Sequence, residues 1–299
     1  MDLEKTLGKR IALYIGCIFG TMGLLVAGQL IGSILIAIPQ LIISTSRSKA
    51  NMDAWITGIS YISFIGIWIV SLGFLLLSKK NHWIINVLGT KASGNTGMKF
   101  WIGILIGFCL NGICAYIAWV NHDINLKYIG FYPVSFILIF VGVLVQSSAE
   151  EFVCRGFLYQ KGLQYFNKPV IAILTNSLLF AVLHLFNDGV TMLSIINIFL
   201  AGLLFSLIVY YTDSIWCAFG VHTAWNFTQN ILLGLPNSGS VVPYAVFKLD
   251  ANTARDSFAY NVSFGIEGTV VADIVLLLAC IAIFAWGRKY GKKHINQQL

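Results

Sequence analysis

Charged residues are scarce in this chain. Of its 299 residues only 10% are Asp, Glu, Lys or Arg, whereas 58% are hydrophobic. Soluble globular domains carry about 25% charged residues, so this scarcity excludes a soluble domain, and the high apolar content excludes a disordered chain. The net charge of +7 comes from short basic clusters between apolar runs. Because no basic face is formed, we expect no nucleic-acid partner, and the composition predicts a polytopic protein of the lipid bilayer.

Paired cysteines and the common hydrolase motifs are also missing. The six cysteines lie in or beside apolar segments and form no CxxC or other zinc-ligand spacing. Neither HExxH nor GxSxG occurs, which argues against a helical zinc-protease motif and a serine nucleophile elbow. An internal repeat, which many transporters have, is not visible either.

Long apolar runs dominate what is present. A helix needs about 20 mainly apolar residues to cross a membrane, and this measure predicts an all-α bundle of about eight transmembrane helices. We treat residues 1–299 as a single membrane domain. The first run is too long for a cleaved signal segment, and we expect it to be retained and interrupted near Pro39. The predicted spans are 11–43, 54–78, 99–120, 133–158, 169–187, 190–211, 215–235 and 268–287.

The distribution of Lys and Arg predicts the orientation. With the amino terminus inside, thirteen basic residues lie on the inner side and five on the outer side. The positive-inside rule therefore favours a cell-membrane protein with both termini in the cytoplasm. The inner set is Lys5, Lys9, Arg10, Lys79, Lys80, Lys91, Lys99, Lys161, Lys168, Arg288, Lys289, Lys292 and Lys293, and the outer set is Arg47, Lys49, Lys127, Lys248 and Arg255.

Three charged residues, Glu150, Glu151 and Arg155, interrupt the fourth predicted span. Each ionised residue near the bilayer centre costs about 2.5 to 3.5 kcal/mol, so together they would nearly cancel the favourable transfer of the span. Glu151 and Arg155 are four residues apart on one helix face and can pair. Glu150 lies about 100° round the helix and needs another partner. The alternative is one salt-bridged knot of all three that only holds helices together.

Two further spans supply candidate partners for Glu150. Phe180 and His184 are one turn apart in the fifth span, and His222 and Asn226 are one turn apart in the seventh. A carboxylate in an apolar cavity can take a proton from water and return it, while an imidazole and an amide can donate to a developing oxyanion. These residues predict a site where water attacks the carbonyl group of a substrate and hydrolyses it. A zinc ion bound by Glu150, His184 and His222 is a minority alternative.

Three short motifs occur in order on these separate spans. EEFVCR fits EExxxR, FAVLH fits FxxxH and HTAWN fits HxxxN. Together they resemble the membrane-embedded CAAX protease and bacteriocin-processing family, also called CPBP or Abi, and every motif position is filled. The resemblance implies an intramembrane glutamate endopeptidase with a catalytic helix core at 133–235. It further implies that Glu150 activates water with the help of His184, and that His222 and Asn226 form the oxyanion hole.

The same resemblance implies the supporting residues and the partners. Glu151 and Arg155 would orient the site, and Phe180 would contact the substrate. The expected substrate is a membrane-associated peptide or protein, with bacteriocin maturation, signal-peptide maturation and self-immunity as the candidate roles, and no cofactor or metal is expected. Two other classes stay open: a proton-coupled transporter, since intramembrane Glu and His also form proton relays, and a non-catalytic bacteriocin-immunity binding protein.

The side on which the site opens is left undecided by the sequence. Glu150 lies 17 residues before the turn at Asn167, whereas His222 lies only nine residues beyond Asp213, and both turns would be cytoplasmic. The long connection from Leu235 to Gly268 contains an extended stretch that could rest on the mouth of the bundle and touch a substrate. A plain extramembrane loop is the alternative.

Overall fold

The computed structural model describes residues 6–44, 49–90 and 94–290. Helices account for 74% of the structure and there is almost no sheet. The α-helices are α1 Leu7–Ser44, α2 Lys49–Ile62, α3 Ile65–Leu77, α4 Gly97–Val120, α5 Pro133–Glu151, α6 Tyr159–Phe166, α7 Pro169–Val182, α8 Met192–Thr212, α9 Ile215–Asn226 and α10 Val270–Tyr290. Two π-helical segments, Phe152–Leu158 and Phe227–Leu232, continue α5 and α9, and two short strands are β1 Leu126–Tyr128 and β2 Phe247–Leu249.

Several of the helical runs are of membrane-spanning length. Within the described ranges six are long and apolar enough to cross a membrane: Leu7–Ile43, Met52–Leu77, Gly97–Val120, Pro133–Phe166, Met192–Thr212 and Val270–Tyr290. The shorter α7, and α9 with its π-segment, complete the bundle. The prediction of an all-α bundle of about eight helices is confirmed, and the chain is a multi-pass membrane protein.

Two of the early predicted spans differ from the structure. The predicted interruption near Pro39 is wrong, because α1 continues through Pro39 to Ser44. A proline removes one backbone hydrogen bond, but transmembrane helices tolerate it. The predicted span 54–78 is divided into α2 and α3, which still form one candidate span, Met52–Leu77.

The fifth predicted span, 169–187, is wrong at its end. The α-helix stops at Val182, and tighter three-residue turns follow, with the His184 amide donating to the Ala181 carbonyl. The apolar count ignored the turn residues Asn187, Asp188 and Gly189 behind it. His184 therefore lies in a turn just beyond the helix.

Close packing between α4 and α9 puts α9 at the centre of the bundle. A Cβ added to Gly103 would lie 2.2 Å from the Cys217 carbonyl oxygen, and one added to Gly107 would lie 2.2 Å from that of Val221. Only glycine lets the two backbones approach so closely. Eleven of the twelve residues of α9 are buried, all except Trp216, so its polar side chains meet protein instead of lipid.

The connections of the bundle gather on two sides. The ends of α1, α6, α8 and α10 form the side that we call the terminal side: Tyr14 packs on Phe166 with ring centroids 5.3 Å apart, and Tyr211 packs on Phe284 at 6.2 Å. Five of the basic residues counted above lie outside the described residues: Lys5, Arg47, Lys91, Lys292 and Lys293.

The opposite side, here called the loop side, carries the connections 121–132, 183–191 and 233–269. On it β1 pairs antiparallel with β2, Leu126 opposite Leu249, so part of the predicted extended stretch is a strand. Lys127 and Asp250 form an ion pair of 2.8 Å, and the hydrogen bond from Lys127 lowers the pKa of the Asp250 carboxyl. These contacts hold the long loop against the 121–132 connection.

Candidate active site

A fully buried ion pair lies behind the site. Arg155 Nη1 is 2.9 Å from Glu151 Oε1, and both side chains are 0% exposed, so the predicted pairing is confirmed. The guanidinium also donates to the Gly202 carbonyl of α8 at 2.9 Å and lies 4.7 Å from the Phe180 ring centroid. Because the hydrogen bonds of Arg155 go to Glu151 and α8, the alternative of one knot that includes Glu150 does not describe this arrangement.

Two of the helices that carry motif residues, α5 and α9, continue into wider π-helical segments. The chain changes from α5 to a π-helical segment after Glu151, and from α9 to a second one after Asn226. Such π-segments are rare and occur frequently at functional sites. Neither was visible in the apolar periodicity of the sequence.

The side chain of Glu150 is more exposed than that of its neighbour Glu151. Its side chain is 18% exposed, against 0% for Glu151. The partner that the sequence required is Gln146, whose Nε2 donates to Glu150 Oε1 at 2.7 Å. The other oxygen, Oε2, lies 3.9 Å from Nε2 of His222, which is too far for a direct hydrogen bond.

His222 stands between the two glutamates. Its Nδ1 lies 3.1 Å from Glu151 Oε1, and since an ionised carboxylate can only accept, Nδ1 donates. Its Nε2 faces Glu150, and its ring stacks on that of Phe205 with the ring centroids 5.0 Å apart. Donation from Nε2 to another group therefore requires a proton on both ring nitrogens.

His184 has the complementary arrangement. Its Nδ1 lies 2.7 Å from the Phe180 carbonyl oxygen, which can only accept, so Nδ1 carries the hydrogen and Nε2 of the neutral ring is an acceptor. The centroid of the Phe180 ring lies 4.9 Å from that of the His184 ring and 5.9 Å from that of the His222 ring. Phe180 is only 4% exposed and lies between the two imidazole rings. Its contact with substrate stays a prediction.

Asn226 is held by amides on both sides. Its Nδ2 donates to Gln146 Oε1 at 3.0 Å, and its Oδ1 accepts from Asn237 Nδ2 at 3.1 Å. With the bond from Gln146 to Glu150, this makes a directed series of hydrogen bonds from Asn237 to Asn226, Gln146 and Glu150. One N–H of the Asn226 amide is left for another acceptor.

These side chains line one cavity of about 600 Å³, a size typical of ligand pockets. Glu150, His184, His222 and Asn226 all contribute to its wall, whereas the Glu151 and Arg155 pair lies behind it. On the loop side the wall includes Asn187, Asn237, Ser238 and Ser240, and on α1 it includes Val26, which is 62% exposed. The cavity therefore reaches the lipid-facing surface beside α1.

Residues 132–228 match the family model described as Rce1-like, "Type II CAAX prenyl endopeptidase Rce1-like". This segment is therefore similar to the CPBP family, and we call it the CPBP segment. The match supports a membrane endopeptidase of the CAAX-protease kind. No curated protein and no solved structure matches the chain.

The CPBP segment contains all seven residues predicted from the sequence, and the structure brings them together around the cavity or directly behind it. Sequence reasoning missed Gln146 and Asn237. Gln146 could have been found, because it lies one helical turn before Glu150. Asn237 carries no such signal, since it lies in a loop outside the CPBP segment.

In the part of the chain that the structure describes, no group of three His, Cys, Asp or Glu side chains could hold a metal ion. The expectation of no metal and the zinc alternative at Glu150, His184 and His222 both stay predictions.

Proposed function

We propose that this protein is an intramembrane endopeptidase of the glutamate type that cleaves a membrane-associated peptide or protein. The observation that carries the proposal is the difference between the surroundings of the two glutamates. Glu151 is fully buried and bound to Arg155, while Glu150 borders the cavity beside the imidazole of His222. The family match to a CAAX prenyl endopeptidase supports the same class of reaction.

The geometry supports a general-base reaction in three steps. Glu150 takes a proton from a water whose second hydrogen is accepted by Nε2 of His184, and the water oxygen bonds to the carbonyl carbon of the substrate. The resulting oxyanion accepts hydrogen bonds from Nε2 of His222, which carries both ring protons in this step, and from Nδ2 of Asn226. Glu150 then gives its proton to the amide nitrogen, the C–N bond breaks, and a carboxylic acid and an amine leave.

The pair behind the site would position His222. Glu151 accepts from Nδ1 of His222 and from Arg155 through the same oxygen, Oε1. This contact fixes the ring so that Nε2 points at the cavity. Arg155 in turn is held by α8, so Glu151 cannot turn toward the cavity and replace Glu150 as the base.

The fold together with the charge pattern supports a proposal for the side from which substrate enters. The cavity wall includes residues of the loop side, and the positive-inside rule assigns the terminal side to the cytoplasm. We therefore propose that the site opens toward the outer half of the bilayer. An exported peptide, such as a bacteriocin or signal peptide, or a target in self-immunity, fits this orientation better than a cytoplasmic prenylated tail does.

The spacing between Asn167 and Glu150 does not conflict with this orientation. The continuous helical run Pro133–Phe166 has 34 residues, which at about 1.5 Å each is longer than a hydrocarbon core of about 30 Å. Part of the run therefore lies outside the core or the run is tilted, so 17 residues from Asn167 to Glu150 do not set the depth of the site.

Purified full-length protein in proteoliposomes tests the function. Two internally quenched peptides serve as probes, one a hydrophobic signal-peptide sequence and one a farnesylated peptide that ends in CaaX, with protein-free liposomes as the control. We expect cleavage of the first, with both products identified by mass spectrometry. Proton-dependent solute uptake without cleavage of either peptide would contradict the proposal and favour a transporter.

A further inference from the structure

A tight hairpin turn on the loop side covers one end of the cavity. In this segment, residues 236–240, here called the strap, the Asn237 amide donates to the Ser240 carbonyl at 2.9 Å and the Ser240 amide donates back at 2.8 Å. Ser238 and Gly239 have φ angles of 47° and 83°, as the two central residues of a type I′ turn do. The strap is thus a defined turn instead of a loose loop.

The strap is anchored to two walls of the site. Asn187, in the turn that carries His184, donates to the Ser238 carbonyl at 3.0 Å. Glu267, which is 6% exposed, accepts from the Ser238 hydroxyl at 2.9 Å and from the Trp225 indole of α9 at 2.8 Å. The position of the strap is therefore fixed relative to both His184 and α9.

One side chain of the strap reaches a motif residue. Asn237 Nδ2 donates to Asn226 Oδ1 at 3.1 Å. An amide side chain has nearly the same shape in its two flipped orientations, so its hydrogen bonds decide which end is oxygen. The donor from Asn237 holds the Asn226 oxygen toward the strap and leaves the Asn226 nitrogen toward Gln146 and the cavity.

We propose that Asn237 is a positioning residue that keeps the Asn226 amide in the orientation that donates to the oxyanion. The inference rests on the proposed function, because it assumes that Asn226 acts in the reaction. Asn237 lies beyond residues 132–228 that match the family model. The strap therefore adds to the site a part that the matched core alone does not supply.

Two substitutions of Asn237 separate positioning from packing. Asn237→Asp keeps the volume but puts an acceptor opposite Asn226 Oδ1, so the Asn226 amide turns round to donate to it and presents its oxygen to the substrate. Removing an oxyanion donor costs about 10²- to 10³-fold in kcat, so we expect a loss of about a hundredfold. Asn237→Ala only removes the constraint, and we expect a loss of about two- to tenfold, typical of one neutral hydrogen bond.

The order of the two effects is the decisive readout. A packing role predicts the opposite order, because alanine removes volume and aspartate does not. The full-length protein is measured in proteoliposomes with the internally quenched peptide that the wild type cleaves, and kcat and KM are determined separately. We expect kcat to fall and KM to change less than about threefold, because Asn226 would act mainly on the developing oxyanion.

Two controls accompany these variants. Asn252→Ala changes an exposed asparagine of the same loop, far from the strap in sequence, and should leave kcat unchanged. In an Asn226→Ala background the Asn237 variants should have no further effect, because the amide that they orient is gone. Thermal unfolding in detergent checks that each variant is folded.

Failure of this inference is distinguishable from failure of the proposed function. A wild-type protein that cleaves neither peptide would contradict the proposed function and the role of Asn237 with it. An active wild type whose Asn237→Asp variant is as active as Asn237→Ala, or more active, would overturn only the role of Asn237.

Discussion

Leucine in place of Gln146 removes two hydrogen bonds that converge on the reacting groups. One is the 2.7 Å bond to Glu150, and the other is the 3.0 Å bond from Asn226. A hydrogen bond to a charged group contributes about 1.5 to 3 kcal/mol and a neutral one about 1 kcal/mol. Together these are about 2.5 to 4 kcal/mol. If both bonds organise the transition state, kcat falls about 10²- to 10³-fold, since 1.36 kcal/mol is a factor of ten.

The assay is cleavage of the quenched peptide by Gln146→Leu in proteoliposomes, with kcat and KM measured separately. KM should change little, because neither bond is made to the substrate. Gln146→Glu keeps the length of the side chain but places an oxygen against Glu150, and it should be at least as damaging as leucine.

Gln164→Leu is the matched control for this variant. Gln164 lies farther along the same helical run, accepts a hydrogen bond from Lys161, and takes no part in the cavity wall. It should retain wild-type activity. A Gln146→Leu protein that keeps more than about a third of the wild-type kcat would refute the reasoning that this amide organises Glu150 and Asn226.

Three further predictions concern the ion pair, the helix packing and metals. Arg155→Met leaves the Glu151 carboxylate buried without its cation and should destabilise the protein by about 3 to 5 kcal/mol, and thermal unfolding in detergent should show that a second change, Glu151→Gln, restores part of the loss. Gly107→Leu forces α4 away from the Val221 carbonyl, so the amount of folded protein in membranes should fall sharply, and normal accumulation would contradict the packing. Treatment with a zinc chelator should leave peptide cleavage within about twofold of the untreated rate, whereas loss of cleavage that added zinc restores would favour the zinc alternative.

Helix geometry explains which parts of the site could be predicted. The pairing of Glu151 with Arg155 follows from a spacing of four residues on one helix, and it is present in the structure. The same spacing relates His222 to Asn226. In each case the two side chains are brought to one face by the helix itself, so no contact with another element is needed.

Contacts between elements could not be predicted in the same way. The bond from Asn226 to Gln146 joins α9 to α5, and it depends on the close approach of helices around α9. The contact from Asn237 depends on a turn whose position is set by Glu267 and Asn187. Hydrophobic periodicity carries no information on either contact, because it reports only which face of one element is apolar.

The end of α7 shows a further limit. Counting apolar residues continued the helix through His184, whereas the chain turns after Val182. In a membrane protein a turn that is buried in protein or lines a cavity can lie among apolar residues. The motif spacing remained informative, because His184 still binds the carbonyl of Phe180 four residues before it.

The most direct test of the central claim compares Glu150→Gln with the wild type at saturating peptide. Glutamine has nearly the same shape but cannot take a proton from water, so cleavage should fall to the protein-free background. Binding of the uncleaved peptide, followed by fluorescence anisotropy, and accumulation in membranes should both remain normal. Cleavage by Glu150→Gln at a rate near that of the wild type would contradict the assignment of Glu150 as the general base.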